Sequence, residues 1–477
     1  MKSSKTKIVV TLGPKTCNAD SLKAMLSSGL DIIRLNGSHN TLDWHKNAIS
    51  LVRQVSPLTP ILLDIPGRKV RTTILKTPKK LEIGETLTFT TDSEYRGDDK
   101  IKVTYPDFHQ DLETGNTILA DDGTLKFTII DVSNRDITCR IETKGYLKSS
   151  KGLNIPYVKM RGPVVSEKDR HILEFCVQND VDFVGISFVE SAKHIAEVRT
   201  HLSGSNVEVI SKIENKFGID NLDEIVSHSD AILIDRGDLA AETEIEKTAL
   251  FQKRIIRSCN LHSKPVIVAT EMLHTMIENP QPTKAEIIDI TNAVIDGASA
   301  TMLSGETAVG EYPEQAITIM NKVALCVEEE WRDFGSVNFV SAEKSVPNSI
   351  GRSVYEICRE MPVTKVICIT KTGFAPKMIS RYRLDQPILA VTPDENVARK
   401  LNLSWGVVPV KVDVNFSQDS SEHIPQCLET LYCRDYLNRD DLIVVTSVKY
   451  PKHGNYMNSV EVYYLKDLVE SLSWKKE

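Results

Sequence analysis

Short apolar runs alternate with segments of helical periodicity, and an all-β stretch interrupts this alternation once. The pattern predicts strands at 7–11, 31–36 and 60–64, separated by helices at 19–28 and 42–54. After Arg71 the period changes to two, which is typical of β-strands, and it stays so through residue 142. The alternation returns at Ser166, a predicted N-cap followed by acidic residues. Five more strands are then predicted at 182–187, 207–213, 231–235, 265–270 and 299–303.

Three strands before the interruption and five after it make eight βα units, the number in a (β/α)₈ barrel. We therefore predict an α/β protein with a TIM barrel from residues 1–72 and 164–335, closed by a helix at 313–331. Residues 73–163 are predicted to form an inserted all-β lid domain of the β-barrel kind, in the third βα loop. After a linker near 333–346, a second βα series predicts an open C-terminal α/β domain at 347–477.

Composition indicates a protein that acts on small molecules. The 477 residues carry a net charge of −7, with a pI near 6.0, which gives no basic field for nucleic acid. No run of about 18 apolar residues predicts a membrane span, and the N-terminus is not that of a signal peptide, so we expect a cytoplasmic protein. The nine cysteines include no Cys-x-x-Cys pair and are expected to be reduced thiols.

Charged residues stand at the ends of two neighbouring predicted strands. Lys212 and Glu214 alternate onto one side of the first, and Asp238 follows the second after a glycine bend. In a parallel barrel these ends form the mouth, where two carboxylates suit a hard divalent ion such as Mg²⁺ or Mn²⁺. The alternative is a buried Lys212–Glu214 ion pair that only fills the barrel.

Seen together, the strand ends resemble the pyruvate kinase family over nearly the whole chain. The matching stretches begin at Lys7, Arg34, Lys151, Ser211, Arg236, Pro282 and Met302, and the most specific strings are Ser-Lys-Ile-Glu-Asn at 211–215 and Met-Leu-Ser-Gly-Glu-Thr-Ala at 302–308. The resemblance implies Mg²⁺-dependent phosphoryl transfer from phosphoenolpyruvate to ADP, giving pyruvate and ATP. It also implies a homotetramer.

The resemblance further implies roles for individual residues. Glu214 and Asp238 would hold Mg²⁺, Lys212 would stabilise the moving phosphoryl group, and the amides of Gly237 and Asp238 would bind the substrate carboxylate. Thr270 and Ser304 would end the seventh and eighth strands on the side where the enolate carbon is protonated. Thr270 would order a water chain there, since a hydroxyl alone is a poor acid. Thr270 is equally compatible with being an ordinary strand-end residue.

Other residues match the family's cation and nucleotide sites. A monovalent-cation shell would comprise Asn36, Ser38, Asp64 and the carbonyl of Ile65. Arg34 would face the substrate phosphate, and the nucleotide would lie near Arg71, Lys151, His39 and Trp44. Alternatively, Asn36 and Ser38 cap a turn, Trp44 is a core residue, and Asp121 and Asp122 form a hairpin turn instead of reaching toward the metal.

Several residues depart from the family's pattern. Lys69 stands where glutamate is usual, and its ammonium near the empty shell predicts activity without K⁺. Asp235 and Glu271 add carboxylates that should weaken substrate binding unless they point outward or pair with Arg68 or Arg236. The remaining departures are Gly37, Pro66, Arg68 and Ala240.

Two further functions stay open at this point. One is an enzyme that uses a Mg²⁺-enolate barrel site for another oxo acid; the other is a catalytically weak binding or regulatory protein. The glycine turn at 370–373 either binds a phosphorylated activator or is a simple structural turn.

Overall fold

The computed structural model describes residues 4–121, 123–330, 345–416, 421–449 and 457–475. The chain begins with β1 (Lys7–Thr11), α1 (Ala19–Ser28), β2 (Ile32–Asn36), α2 (Leu42–Val55) and β3 (Ile61–Ile65). Nine short strands follow: β4 (Val70–Arg71), β5 (Lys79–Leu81), β6 (Thr86–Thr90), β7 (Lys100–Lys102), β8 (Thr117–Ala120), β9 (Leu125–Ser133), β10 (Asp136–Ile141), β11 (Gly145–Leu147) and β12 (Gly152–Asn154).

The alternation of strands and helices then resumes. Its elements are α3 (Glu167–Gln178), β13 (Phe183–Ile186), α4 (Ala192–His201), β14 (Glu208–Ile213), α5 (Lys216–Asp220), α6 (Leu222–His228), β15 (Ala231–Asp235), α7 (Arg236–Glu242), α8 (Thr248–Leu261), β16 (Val266–Ala269), α9 (Lys284–Ile295), β17 (Ala300–Leu303), α10 (Gly305–Ala308) and α11 (Pro313–Glu330). Single 3₁₀ turns lie at Phe108–Gln110, Ile245–Lys247 and His274–Ile277.

The last part of the chain forms a further sheet with its helices. Its elements are α12 (Val346–Glu360), β18 (Lys365–Ile369), α13 (Phe374–Ser380), β19 (Ile388–Thr392), α14 (Glu395–Leu401), β20 (Val407–Lys411), α15 (His423–Cys433), β21 (Leu442–Ser447), β22 (Ser459–Tyr464) and α16 (Leu465–Ser471). The strands pair in the order β20-β19-β18-β21-β22, with only β22 antiparallel to its neighbour. The sheet is therefore an open α/β sheet, as predicted.

Eight parallel strands close into a barrel in the order β1-β17-β16-β15-β14-β13-β3-β2. The predicted (β/α)₈ barrel is confirmed, and the all-β segment leaves it after the third strand, as expected. The predicted closing helix is α11, which is described as far as Glu330. The last residue of the predicted helix, Trp331, and nearly all of the predicted linker lie outside the described residues.

The all-β segment is a seven-stranded sheet in the order β4-β12-β8-β9-β10-β6-β7, and a bridge between Thr72 and Val103 joins its two ends. Within the stretch of period two, residues 79–90 form two strands and not one, because Glu85 N donates to Glu82 O in a turn that includes Gly84 at φ +86°. The short strands β4 and β12, which enter and leave this segment, were not predicted, and they pair with each other.

Two barrel helices begin with a reciprocal capping box. Ser166 and Asp169 form a reciprocal capping box at α3, confirming the predicted N-cap. Thr283 and Glu286, from the Pro-Thr-Lys-Ala-Glu string, form a second one at α9. No helix in the described part of the chain is both long and apolar enough to cross a membrane.

The barrel interior is packed with apolar side chains from its own strands and one from the C-terminal part of the chain. Phe183, Ile210 and Leu233 belong to this interior cluster, and Leu403, which follows α14, packs into the same cluster. Leu403 is 1% exposed. Lys7 Nζ also donates to Val407 O at 3.1 Å across this boundary. The C-terminal part of the chain therefore fills the end of the barrel at which the strands begin.

Candidate active site

The strand ends bring one lysine and three carboxylates together at the other end of the barrel. Lys212 and Glu214 come from the end of β14, Asp235 ends β15, and Asp238 lies in the first turn of α7. All four are buried, and Ile213 between the first two packs into the outer core as strand alternation requires. Carboxylate oxygens of Glu214, Asp235 and Asp238 lie within 4.8 Å of one another.

Lys212 is the shared cation of this cluster. Its Nζ lies 2.6 Å from Glu214 Oε1, 3.2 Å from Asp235 Oδ2 and 3.9 Å from Asp64 Oδ2. Although burial opposes the charged form, these carboxylates raise the pKa of Lys212, so it is a fixed ammonium at neutral pH. The expected Lys212–Glu214 ion pair exists, but it stands within a larger charged site.

Asp235 neither points outward nor pairs with Arg68 or Arg236, the two arrangements that would have kept its charge away from the substrate. It points into the site and pairs with Lys212, whereas Arg68 pairs with Glu190 at 3.4 Å and Arg236 with Asp289 at 2.7 Å. Its side chain points inward at the end of β15 because the Lys212 ammonium lies there as an ion-pair partner. Glu271, in contrast, is exposed, as one of the expected arrangements required.

Lys69 does not lie at the predicted monovalent-cation shell. Its Nζ lies 2.5 and 2.7 Å from the two carboxylate oxygens of Asp238. Burial alone would lower the pKa of Lys69, but Asp238, with Glu214 and Asp235, raises it.

The segments that enter and leave the lid both bind Asp238. Lys69 immediately precedes β4, and Asn154 ends β12 and donates from Nδ2 to Asp238 Oδ1 at 3.1 Å. Next to it, Ile155 N donates to Glu242 Oε1 at 3.0 Å. These contacts hold the lid over the mouth of the barrel.

Asn154 and Glu242 are site residues that the sequence analysis did not assign. Asn154 falls within the family-matching string that begins at Lys151, so that string was a usable signal. Glu242 stands in an otherwise ordinary helix, α7, and no pattern marked it. Burial raises the pKa of Glu242 to about 7.

The carboxylate cluster suits a divalent ion. Its candidate ligands are oxygen atoms, and burial, with the neighbouring carboxylates Asp235 and Asp238, raises the pKa of Glu214 against the opposing effect of Lys212. Glu214 Oε1 lies beside Lys212 Nζ without the alignment of a hydrogen bond and has no other hydrogen-bond partner among the described residues. A lone pair is thus left for a metal ion.

Thr270 and Gly237 contact each other at the mouth. Gly237 N donates to Thr270 Oγ1 at 2.9 Å, and that hydroxyl donates to Ala269 O at 2.6 Å. Thr270 has a φ of +68°, which is unusual for a β-branched residue. Ser304 begins α10, and its N–H donates to Glu306 Oε2 at 2.8 Å. A carboxylate ligand at Gly237 N would replace the Thr270 hydroxyl as acceptor.

The residues expected to form the monovalent-cation shell mostly bind within the protein. Asp64 Oδ2 accepts from Arg34 Nε at 2.9 Å and from Nη2 at 2.8 Å. Ser38 N donates to Asn36 Oδ1 at 3.1 Å, the turn-capping arrangement, and Ile65 O accepts from Ser187 Oγ at 2.9 Å. Arg34 and Lys212, not Lys69, are thus the cations beside Asp64.

Two of the residues expected near the nucleotide contact the lid. Arg71 Nη1 donates to Ser150 O at 3.2 Å, and Lys151 Nζ pairs with Asp121 at 2.5 Å. Asp121 therefore faces Lys151 in this structure, while Asp122 lies outside the described residues.

The other two lie at the start of α2. Trp44 packs partly buried against the outer core, as a core tryptophan would. The pKa of His39 is lowered by desolvation and by the nearby cations Arg71, Arg34 and Lys168. This cationic surrounding favours an anion such as a nucleotide phosphate.

Comparison with known proteins agrees with the fold. Residues 3–317 match the family model described as the pyruvate kinase barrel domain, and residues 348–463 match the pyruvate kinase alpha/beta domain. The chain is 36% identical to the pyruvate kinase of Clostridium acetobutylicum over 457 residues, covering 93% of this chain and 96% of that protein.

A second relative and a solved structure extend the match. The pyruvate kinase of Geobacillus stearothermophilus is 35% identical over 477 residues, covering 98% of this chain and 81% of that protein. A crystal structure of a pyruvate kinase from Cryptosporidium parvum superimposes with a TM-score of 0.87 at 32% identity, covering 97% of this chain and 96% of that one. The chain therefore belongs to the pyruvate kinase family and, like these relatives, is a phosphotransferase.

Proposed function

We propose that this chain transfers the phosphoryl group of phosphoenolpyruvate to ADP, giving pyruvate and ATP, with Mg²⁺ or Mn²⁺ bound at the mouth of its barrel. The observation that carries the proposal is the buried Lys212 ammonium beside three convergent carboxylates at the strand ends. A phosphoryl group in transfer carries dispersed negative charge, which positioned cations stabilise.

The divalent ion that the family implies would be held among Glu214, Asp235 and Asp238; the resemblance assigns the first and the last. When bound, such an ion neutralises charge on the phosphate and enolate oxygens. Lys212 supplies a fixed positive charge beside that position, and burial makes its interaction with the phosphoryl group stronger than in water.

The substrate carboxylate is proposed to bind at the start of α7. The N–H groups of Gly237 and Asp238 are the free donors of its first turn once the Thr270 hydroxyl is displaced. The displaced hydroxyl would then order the water that protonates the enolate carbon, with Ser304 at the end of the neighbouring strand. Arg34, buried and bound to Asp64, directs positive charge toward the same mouth.

The nucleotide is proposed to bind between lid and barrel. Arg71 and Lys151 flank the β4–β12 pair, and His39 and Trp44 lie at the start of α2. Lid closure over this region excludes water that would otherwise accept the phosphoryl group. Asp121, which pairs with Lys151, would exchange that partner for solvent when a phosphate arrives.

We propose the domain division given above: barrel at 1–72 and 164–335, lid at 73–163 and C-terminal domain at 347–477. By family resemblance we also propose a cytoplasmic homotetramer. Exposed apolar side chains beside the barrel, Ile245, Leu250 and Ile288, support an assembly contact. Sedimentation velocity at micromolar concentration tests the oligomeric state.

The test of the reaction is pyruvate formation from phosphoenolpyruvate and ADP in the presence of Mg²⁺. We expect turnover in the wild type and a fall of at least about 10²-fold in Lys212→Met, since a preorganised charge on the transition state is lost. Wild-type protein that binds phosphoenolpyruvate without forming pyruvate would contradict the proposal and favour a regulatory role.

A further inference from the structure

The three carboxylates at the mouth are neutralised unequally. Both oxygens of Asp238 are contacted by Lys69 Nζ, at 2.5 and 2.7 Å, and Oδ1 also accepts from Asn154 at 3.1 Å. Among the described residues, Asp238 therefore already has a cation and a neutral donor. Its negative charge is balanced within the protein.

Glu214 and Asp235, in contrast, share a single cation. Lys212 Nζ lies 2.6 Å from Glu214 Oε1 and 3.2 Å from Asp235 Oδ2, so two buried carboxylates face one ammonium. Glu214 Oε2 accepts only a neutral donor, Phe188 N at 2.6 Å. Among the described residues, Lys212 is the only cation within 4.0 Å of this pair, and Lys69 acts on it only from farther away, so one buried carboxylate has no ion-pair partner of its own.

The distances allow one ion to bind this pair. The three carboxylates offer oxygens within 4.8 Å of one another. An octahedral Mg²⁺ or Mn²⁺ with oxygens at about 2.1 Å spans ligand pairs of up to about 4.2 Å, so small side-chain movements suffice. At Asp238 the arriving ion would meet an ammonium that is already bound to both oxygens, and the two positive charges repel.

We propose that Glu214 and Asp235 hold the divalent ion in this chain, while Asp238 remains paired with Lys69. Asp235 thereby takes the ligand position that the resemblance gives to Asp238. The proposal rests on the function proposed above for the presence of the ion. It also explains why Lys69 and Asp235 occur together: Lys69 occupies one carboxylate at the mouth, and Asp235 supplies another.

Mn²⁺ binding to the apoprotein, followed by calorimetry and by the electron paramagnetic resonance signal of free Mn²⁺, tests the assignment. We expect Asp235→Asn to weaken Mn²⁺ affinity by more than about 100-fold and Asp238→Asn by less, within the range of about 10–100-fold that is typical of residues outside the ligand shell. Glu271→Gln removes an exposed carboxylate that lies outside the cluster and should leave affinity unchanged. The reverse order for Asp235→Asn and Asp238→Asn would overturn the proposal.

A double variant tests the role of Lys69. Lys69→Met frees Asp238, so it should restore at least about tenfold of the Mn²⁺ affinity lost in Asp235→Asn. No recovery would show that Lys69 does not withhold Asp238 from the ion. Circular dichroism and the thermal midpoint of each variant establish that it is folded before affinities are compared.

These measurements need no turnover, so they separate the two proposals. If Asp235→Asn loses Mn²⁺ but the wild type forms no pyruvate, the ligand assignment stands and the proposed reaction falls. If the wild type forms pyruvate and Asp235→Asn binds Mn²⁺ as tightly as wild type, only the ligand assignment falls.

Discussion

Replacement of Glu242 by glutamine should stabilise the protein at alkaline pH and have little effect at acid pH. Glu242 is 8% exposed, and burial raises the pKa of this carboxyl from its ordinary 4.5 to about 7. Between these values the folded chain keeps a proton that the unfolded chain releases, so stability falls as pH rises through this window. Glutamine keeps an oxygen acceptor for Ile155 N and carries no charge at any pH in the range.

The magnitude follows from the pKa difference. A tenfold change in proton affinity is worth about 1.4 kcal/mol, so the charged Glu242 costs the folded state about 3 kcal/mol at pH 8. The same penalty is less than about 1 kcal/mol at pH 5, where the folded state binds the proton and the unfolded state, only slightly above its ordinary pKa of 4.5, still binds it part of the time. Glu242→Gln should therefore exceed the wild type in stability by about 3 kcal/mol at pH 8.

Urea unfolding at several pH values between 5 and 8.5 measures this difference. Glu246→Gln, at an exposed position four residues away, is the matched control and should track the wild type at every pH. A stability difference between Glu242→Gln and wild type that does not change between pH 5 and 8.5 would refute the reasoning. It would mean that Glu242 is hydrated in the folded protein.

Three further predictions concern other parts of the molecule. Leu403→Ala should destabilise the protein by about 2–5 kcal/mol in urea unfolding, because it leaves a cavity among barrel residues; an unchanged midpoint would contradict its burial there. Thr270→Ala should lower kcat by about 10²-fold while Thr270→Ser retains most activity, and equal rates for both would exclude a role for the hydroxyl. Activity should not require K⁺, because Lys69 and Arg34 supply fixed positive charge near the mouth; a rate near zero in Na⁺- and K⁺-free buffer that rises steeply with KCl would refute this.

Periodicity predicted the barrel well because each of its strands is a short apolar run bounded by polar turns. The strand at Ala231–Asp235 and the helix at Ala19–Ser28 were predicted to the residue. The strands β4 and β12 were missed because each is only two or three residues long and is held by pairing with the other. The position of Leu403 inside the barrel also had no local signal, since contacts between distant segments leave no period in the sequence.

In the site, too, local sequence patterns predicted some side-chain positions, whereas contacts between distant segments determined others. Lys212 and Glu214 were placed correctly because strand alternation fixes their direction. Lys69 was placed near the wrong carboxylate, and the direction of Asp235 was left open, because each is directed by a charge from another element: Asp238 for the first and Lys212 for the second. Charge pairing at a strand end depends on which segments the fold brings near, and this becomes visible only in three dimensions.

The anchoring of both lid connections at Asp238 has a consequence for how this protein can be altered. Lys69 on the incoming segment and Asn154 on the outgoing one bind the same carboxylate, so a single side chain anchors both connections. Substitutions of Asp238 would therefore affect the position of the lid and the charge of the metal site together. Engineers seeking a faster enzyme or a more metal-selective one would therefore have to search these positions jointly.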